Sequence, residues 1–476
     1  MTDLATPPAP AQEPTETQSA FPTPPSGKKS IKDRLQMFNP RRATAGEAIF
    51  PLMILFGLNA VDELDQSAFS VLLPDIRDSF GLSLTGVTAL ISLTGVAVLL
   101  LEIPLAQMAD RRSRTRIAAG GAALWGFFTL FTGLAPGVVL LGLARVGAGL
   151  GRTVNGATHR ALLSDYYSVQ ARPTVFGFHS SANSVGQFIA PLTAGFLGHW
   201  FGWRLPFLIF AVPTLVLVVL ATKLKEPVRG AQERKLMGAS QETVETEEAP
   251  ASFAEAMRIL WQVRSLRRIW LATPILAFAV IARLPLLSIF YADVLGLNSA
   301  ERGVVQTIAE PFQFVGLFLG IPLAAKLLRR DPKLLTRFIG VLLALSGVTT
   351  AVLVLSKILW LAVVMNVLVS MATASILPAL YTVFSLAIPP RVRSVGFSIG
   401  SVFTLPALIG VVLVGSLGDQ YGITTAILLT LPVQLIGVIM LASAGNFLAA
   451  DISKLRTSTV AMAEVRAARS RGQAKL

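Results

Sequence analysis

Cysteine is absent from the chain, which excludes disulfides, thiolate metal sites and a cysteine nucleophile. Histidine is almost absent: His159, His179 and His199 are the only three, and none has metal-ligand spacing. Charge is scarce too. Asp, Glu, Lys and Arg together make up 14% of 476 residues, where soluble domains carry roughly a quarter. Acids are the scarcer sign, 27 against 41 basic residues. No nucleophile-plus-base pairing or phosphate-cradling glycine loop occurs, so an enzyme is not expected, and neither a cofactor nor a metal. The first 47 residues are Pro/Thr/Gln-rich and then basic, without the short apolar core and small-residue cleavage site of a secretory signal.

What fills the space is apolar. Hydrophobic residues make up 53% and the mean hydropathy is +0.64. A chain this apolar cannot bury itself in one water-soluble core, and lipid is the expected solvent. Runs long enough for a helix to cross the hydrocarbon core fall at 48–73, 84–108, 117–135, 138–161, 175–199 and 204–222, then at 269–292, 302–326, 335–355, 358–386, 393–418 and 422–447. They lack strand alternation and are about twice too long for barrel strands. The expectation is an all-α membrane protein of twelve transmembrane helices, arranged as two six-helix bundles.

The net charge of +14 does not point to nucleic acid, because the basic residues sit in short clusters between apolar runs. Placing the N-terminus in the cytoplasm puts Lys28, Lys29, Lys32, Arg34, Arg41, Arg42, the run Arg111, Arg112, Arg114, Arg116, and Lys326, Arg329, Arg330, Lys333 and Arg337 inside. Only Arg77, Arg204, Arg302 and Lys357 then fall outside. This asymmetry predicts an inner-membrane protein with both termini cytoplasmic. The domain expectation is a disordered segment 1–47, a bundle 48–222, a linker 223–268 with an amphipathic helix in 253–268, a second bundle 269–447, and a basic tail 448–476, disordered from 452 onward or with a short surface helix at AMAEVRAARS.

An internal repeat supports two halves. Gly195-Phe-Leu-Gly198-His-Trp-Phe201-Gly202 returns as Gly415-Ser-Leu-Gly418-Asp-Gln-Tyr421-Gly422, offset by 220 residues. Parallel repeats of this kind place a substrate site between the halves near the midplane.

Three motifs carry a family resemblance. The loop Ala106-Gln-Met-Ala-Asp110-Arg111-Arg112-Ser113-Arg114-Thr-Arg116 resembles the Gly-x-x-x-Asp-Arg-x-Gly-Arg-Arg loop of the major facilitator superfamily. Leu141-x-x-x-Arg145-x-x-Ala148-Gly149-x-Gly151 is similar to its second motif, and Gly186-x-x-x-Ala190-Pro191-x-x-Ala194-Gly195 to the motif associated with exporters and antiporters. The resemblance implies that Asp110, Arg111, Arg114 and Arg116 form a cytoplasmic gate. It also implies that Gly186, Ala190, Pro191 and Gly195 serve close helix packing. The first half is most similar to spinster-type lipid transporters and related exporters, through Asp65, Ser70-Val-Leu-Leu-x-x-Ile76-x-x-x-Phe80-Gly-Leu-Ser83 and Gly202-Trp-Arg204. Gln66 and Arg152 depart from that pattern, where the family has arginine and glutamate.

Ionisable groups inside the bilayer cost roughly 2.5–3.5 kcal/mol or more and need partners or water. Candidates for the cavity and for proton coupling are Asp62, Glu63, Asp65, Arg145, Arg152, Arg283 and Glu310. By depth, Arg145 and Arg283 reach toward the span-one acids, and Arg152 toward Asp62. Asp62 and Asp65 share a helix face while Glu63 points about 100° away. Close carboxylates cannot both ionise cheaply, which is what proton coupling needs; a permanent ion-paired lock is the competing reading. The leading function is proton-coupled export of amphipathic or lipophilic molecules, lysolipid-like ones included. The alternatives are a uniporter or importer of a small polar or anionic metabolite, with arginines as clamps, and a receptor with a frozen transporter fold. The expected partners are a small amphipathic substrate, protons and the lipid bilayer, with no nucleic acid; a monomer is expected.

Overall fold

Apolar residues without regular alternation, broken by short polar turns, leave the backbone one way to satisfy its hydrogen bonds in lipid, which is helix. The computed structural model describes residues 39–168, 171–227, 253–388, 400 and 402–473, with the side chains of 103, 106–111, 155–157, 173, 253, 256, 377, 385 and 455–473 outside the description. The described residues form twelve long helical elements: α1 Ile49–Ser79, α2 Leu84–Arg111, α3 Arg114–Leu134, α4 Val138–Tyr166, α5 Arg172–Phe201, α6 Arg204–Ala221, α7 Arg264–Asp293, α8 Ser299–Arg330, α9 Pro332–Ser356, α10 in two pieces Leu359–Ala374 and Ile376–Ala387, α11 Leu405–Tyr421 and α12 Ile423–Gln473. Eight of these are long and apolar enough to cross a membrane on composition alone. The others are α1, α4 and α5, with their acids, arginines, amides and histidines, and the shorter α11. The twelve-helix, all-α architecture matches expectation.

Helix ends follow the local sequence. Ser83 Oγ accepts from Gly86 N at the start of α2, 3.1 Å, and Asn298 with Glu301 forms a reciprocal capping box at the start of α8. The repeat is visible in the backbone. Gly202 (φ +84°) closes α5 and Gly422 (φ +82°) closes α11, each donating its N–H to the glycine four residues earlier. Both left-handed positions require glycine at low cost.

Helices α1–α6 and α7–α12 pack as two groups that meet through α1 with α7, α2 with α11, and α5 with α8. The end carrying residues 40–48, 112–113 and 222–227 is called the near end, and the end carrying 80–83, 202–203, 294–298 and 422 the far end. Inter-group bonds gather at the far end. Arg77 bonds both oxygens of Asp293 at 2.6 and 2.7 Å, and Arg302 of α8 pairs with Asp75 of α1. Asp419 of α11 accepts from Leu84 N, Thr85 N and Thr85 Oγ1 at 2.7, 2.9 and 2.5 Å. A carboxylate there meets both the free N–H groups and the positive end of α2. Small residues complete the seal: a Cβ on Gly303 of α8 would lie 2.1 Å from the Pro191 carbonyl oxygen of α5.

Four expectations shift. The linker helix is confined to Phe253–Gln262, and α7 starts at Arg264 rather than 269, so Arg264, Arg267 and Arg268 belong to the first turns of α7. Arg268 there bonds Ser443 Oγ at 2.9 Å and lies over the Phe447 ring, which gives these arginines a place against α12. The tenth helix breaks at Ser375, whose hydroxyl donates to the Gly316 carbonyl at 2.7 Å. The tail is helical through Gln473, continuous with α12, where the expectation is disorder or a short helix at AMAEVRAARS, because 446–471 holds no proline or glycine and is rich in Ala and Arg. The segments 1–38 and 228–252 lie outside the described residues, as do 393–399 of the expected eleventh run.

Candidate functional site

The three acids midway along α1 occur at 62, 63 and 65, so helical geometry turns Glu63 away from the face that Asp62 and Asp65 share. Asp65 is fully buried, and its Oδ2 accepts from Arg145 Nη1 at 2.9 Å. Arg145 also stacks over Phe69, 4.2 Å from the ring centroid. Asp62 faces Arg152, with Oδ1 and Nε 3.3 Å apart. That separation is an ion pair but does not meet hydrogen-bond geometry, and both atoms are left without a hydrogen bond. These two pairs join α1 to α4 inside one half. Asp62, Arg145 and Arg152 line a pocket of about 500 Å³ together with Gln66, Thr94 and Thr153.

Glu63 turns elsewhere. It lines a larger cavity of about 660 Å³ between the halves, where α1 and α5 face α7, α8 and α10. Half of the lining residues are Leu, Ile, Val or Ala, and Ser67, Ser70, Thr273, Gln306, Asn366 and Thr373 are among the polar ones interspersed. Across this cavity runs a line of four polar side chains. Gln187 Nε2 donates to Glu63 Oε1 at 2.9 Å, and Gln313 Nε2 donates to Glu310 Oε2 at 2.5 Å. The two amides meet where Gln313 Nε2 also reaches Gln187 Oε1, 3.4 Å. The result is a Glu63–Gln187–Gln313–Glu310 bridge from one half to the other. Sequence reasoning missed the glutamines. They are neutral, and Gln187 hides beside Gly186 in a motif read for packing; an amide in an apolar helix was the available signal.

Arg283 of α7 lines the same cavity. Unlike Arg145 and Arg152, it has no carboxylate partner among the described residues, and its Nε is buried without a hydrogen bond.

The packing motif divides its labour. A Cβ on Gly186 would meet Ala60 O at 2.7 Å and the Glu63 Cβ at 2.5 Å, so this glycine lets α5 close on α1 beside the bridge. Ala190 is fully buried, the Pro191 carbonyl packs closely against Gly303, and Gly195 lies against Ser299 and Gly303 of α8. At the near end the side chains of Asp110 and Arg111 lie outside the described residues. Arg114 pairs with Asp165 within its own half at 2.5 Å, and Arg116 is exposed. Glu226, which sequence reasoning passed over, caps α3: it accepts from Ser113 Oγ, Arg114 N, Thr115 N and Thr115 Oγ1 at 2.7, 2.9, 3.0 and 2.5 Å. Burial pushes its carboxyl upward, but these donors outweigh it and hold the pKa at about 2.

The family model of the Major Facilitator Superfamily matches residues 55–403, most of the chain and parts of both halves. The chain belongs to that superfamily. Among similar proteins is a probable L-galactonate transporter of Escherichia coli (strain K12), 26% identical over 208 residues, 43% of this chain and 46% of that protein. A cis,cis-muconate transport protein of Acinetobacter baylyi is 28% identical over 47% of this chain and 55% of its own length. A lincomycin resistance protein of Streptomyces lincolnensis is 32% identical over 36% of each. The chain thus spans about half the length, or less, of the curated relatives it matches. In structure it is similar to a bacterial homologue of the human lysosomal transporter Spinster in an inward-facing, unoccupied conformation, with a TM-score of 0.69 and 22% identity over 86% of this chain and 97% of that one. That likeness concerns the fold.

Proposed function

We propose that this chain is a secondary transporter that works by alternating access, coupling proton movement to the export of amphipathic small molecules. The observation that carries the reading is the Glu63–Gln187–Gln313–Glu310 bridge. Two carboxylates linked through amides across a movable interface, in a cavity whose wall is half Leu, Ile, Val and Ala, are suited to a proton that is held in one conformation and released in the other. The charge asymmetry of the loops supports an orientation in the inner membrane with the near end and both termini in the cytoplasm. The cavity then extends toward the cytoplasm, and the Arg77–Asp293, Arg302–Asp75 and Asp419 contacts close the outside. The Leu, Ile, Val and Ala half of the wall favours a substrate with a substantial hydrocarbon body, and the interspersed polar side chains suit a polar group on it.

A second reading is transport of a small organic anion. It is supported by Arg283 and by the sugar-acid and muconate transport named for two relatives.

The test is reconstitution into proteoliposomes with an imposed pH gradient of either sign, comparing lysolipids, lipophilic dyes and sugar acids. Gradient-dependent movement of an amphipathic compound is expected. Movement of sugar acids alone would favour the second reading, and no flux under any gradient would remove both.

A further inference from the structure

We infer that Arg283 is the receptor for a single anionic head on the substrate, so that the transported molecule is an amphipathic organic anion, with a carboxylate the best match. This rests on the proposed transport function and narrows its substrate class.

Three arginines lie on the membrane-crossing helices beside the two pockets, and two of them are neutralised inside the protein, Arg145 by Asp65 and Arg152 by Asp62. Arg283 is not. None of its nitrogens has a hydrogen-bond partner among the described residues, and Nε is sealed from solvent. The nearby Tyr291 hydroxyl is likewise unsatisfied. The carboxylates of the cavity are engaged elsewhere, Glu63 by Gln187 and Glu310 by Gln313. Arg283 is half-buried, and a cation at membrane depth without a protein counter-charge is costly; proteins retain such groups where a ligand supplies the missing charge.

The shape of the space says where that ligand lies. On its other side Arg283 borders a gap of about 10 Å³ beside Thr350, Thr430 and Gln434, at the limit for one water. The cavity of about 660 Å³ is the open side. Along α7, Leu276, Val280, Arg283 and Leu287 recur at intervals of four, three and four and all line that cavity. A head at the guanidinium therefore has hydrocarbon above and below it on the same helix face. The planar fork of five donors suits a two-oxygen anion.

The test uses the full chain in nonionic detergent, titrated with four probes: 4-phenylbutyrate, 4-phenyl-1-butanol, 4-phenylbutylammonium and gluconate. Wild type should bind phenylbutyrate roughly tenfold or more tightly than the alcohol, the ammonium or gluconate. Arg283→Gln should erase the difference between acid and alcohol while leaving alcohol binding in place, and its melting temperature should equal or exceed wild type, since an uncompensated charge is removed. Arg283→Lys should fold and lose severalfold in acid binding with alcohol binding unchanged. Equal binding of acid and alcohol by wild type would overturn the inference. So would an acid preference that survives in Arg283→Gln, a melting temperature that falls in that variant, or an Arg283→Lys variant with undiminished acid binding. Gluconate binding as tightly as phenylbutyrate would overturn the amphipathic assignment. Failure of the transport reading looks different: the acid preference stands in detergent while no pH gradient drives flux in proteoliposomes.

Discussion

Arg77 presents two nitrogens to the two oxygens of Asp293, at 2.6 and 2.7 Å, and so ties the end of α1 to the end of α7 across the halves. Bidentate pairing of this kind fixes orientation as well as distance. Asp293 remains a third exposed, which limits the contribution to about 1 kcal/mol. Arg77→Gln or Asp293→Asn should therefore move the population toward a far-end-open state by roughly fivefold without unfolding the protein. Because the native chain has no cysteine, labels at Val139→Cys and Trp360→Cys need no background substitutions. The distance between them, measured by electron–electron resonance, should acquire a longer component in either variant. An unchanged distribution would show that Asp419, Arg302 and the glycine contacts close this end without Arg77.

The Asp65–Arg145 pair answers to different physics. Asp65 is fully buried and Arg145 nearly so, and removing one partner leaves the other charge stranded. Breaking such a pair costs about 3–5 kcal/mol. Asp65→Asn should lower the melting temperature markedly, and exchanging the two residues (Asp65→Arg with Arg145→Asp) should recover much of the loss. A variant Asp65→Asn that melts with wild type would mean that water or Asp62 already compensates Arg145.

Glu226 makes a prediction in pH. Its carboxyl has an ordinary value of 4.5 and is held at about 2 in the folded chain. The folded protein thus binds this proton less readily than the unfolded one. Its contribution is complete above about pH 4.5 and fades as the pH drops toward about 2. Wild type should lose thermal stability across that window more steeply than Glu226→Gln, followed by tryptophan fluorescence. Parallel curves would show that the four donors stabilise the amide as well as the carboxylate.

How much of this was legible beforehand depended on the kind of signal. Helix number and the two halves follow from run length and from the glycine repeat, and Gly202 and Gly422 show why the repeat is readable: each fills a left-handed helix end that other residues adopt only with strain. The arginine and aspartate pairs of α1 and α4 were also within reach, because charges in apolar helices must find one another and helical depth restricts the choice. The far-end contacts were not. Asp293 and Asp419 sit at helix ends 216 and 334 or more residues from their partners, and nothing local distinguishes them from solvated loop acids. Depth alone also suggested that Arg283 would approach the span-one acids; Asp62 and Asp65 face Arg152 and Arg145, and Glu63 lines the same cavity as Arg283 without pairing with it. Rotation about the helix axis, which depth does not report, separates Glu63 from its two neighbours. Even the ends of α7 and α12 follow from what the neighbouring residues touch or lack rather than from apolarity.

That rotation leads to the last prediction. If the proton resides on the cavity bridge, the residues to neutralise are Glu63 and Glu310, not Asp65. Glutamine is the informative replacement, because it keeps a carbonyl oxygen to accept from Gln187 or Gln313 and leaves no arginine unpaired. Glu310→Gln and Glu63→Gln should therefore melt close to wild type, within about 1 kcal/mol. Both should lose pH-driven accumulation in proteoliposomes while retaining exchange of substrate down its own gradient. Gln187→Leu breaks the link between the carboxylates without removing either. It should leave each acid titratable but shift the pH dependence of transport, since the two sites would no longer share a hydrogen-bonded path. Asp65→Asn provides the contrast in the same preparation: lower stability, with gradient coupling intact in whatever fraction folds. If instead Glu63→Gln and Glu310→Gln both transport uphill at the wild-type rate, the bridge is a packing device that holds α5 to α8, and the coupled proton must be sought at the Asp62–Arg152 contact, which has the 3.3 Å spacing and unsatisfied atoms of a looser pair.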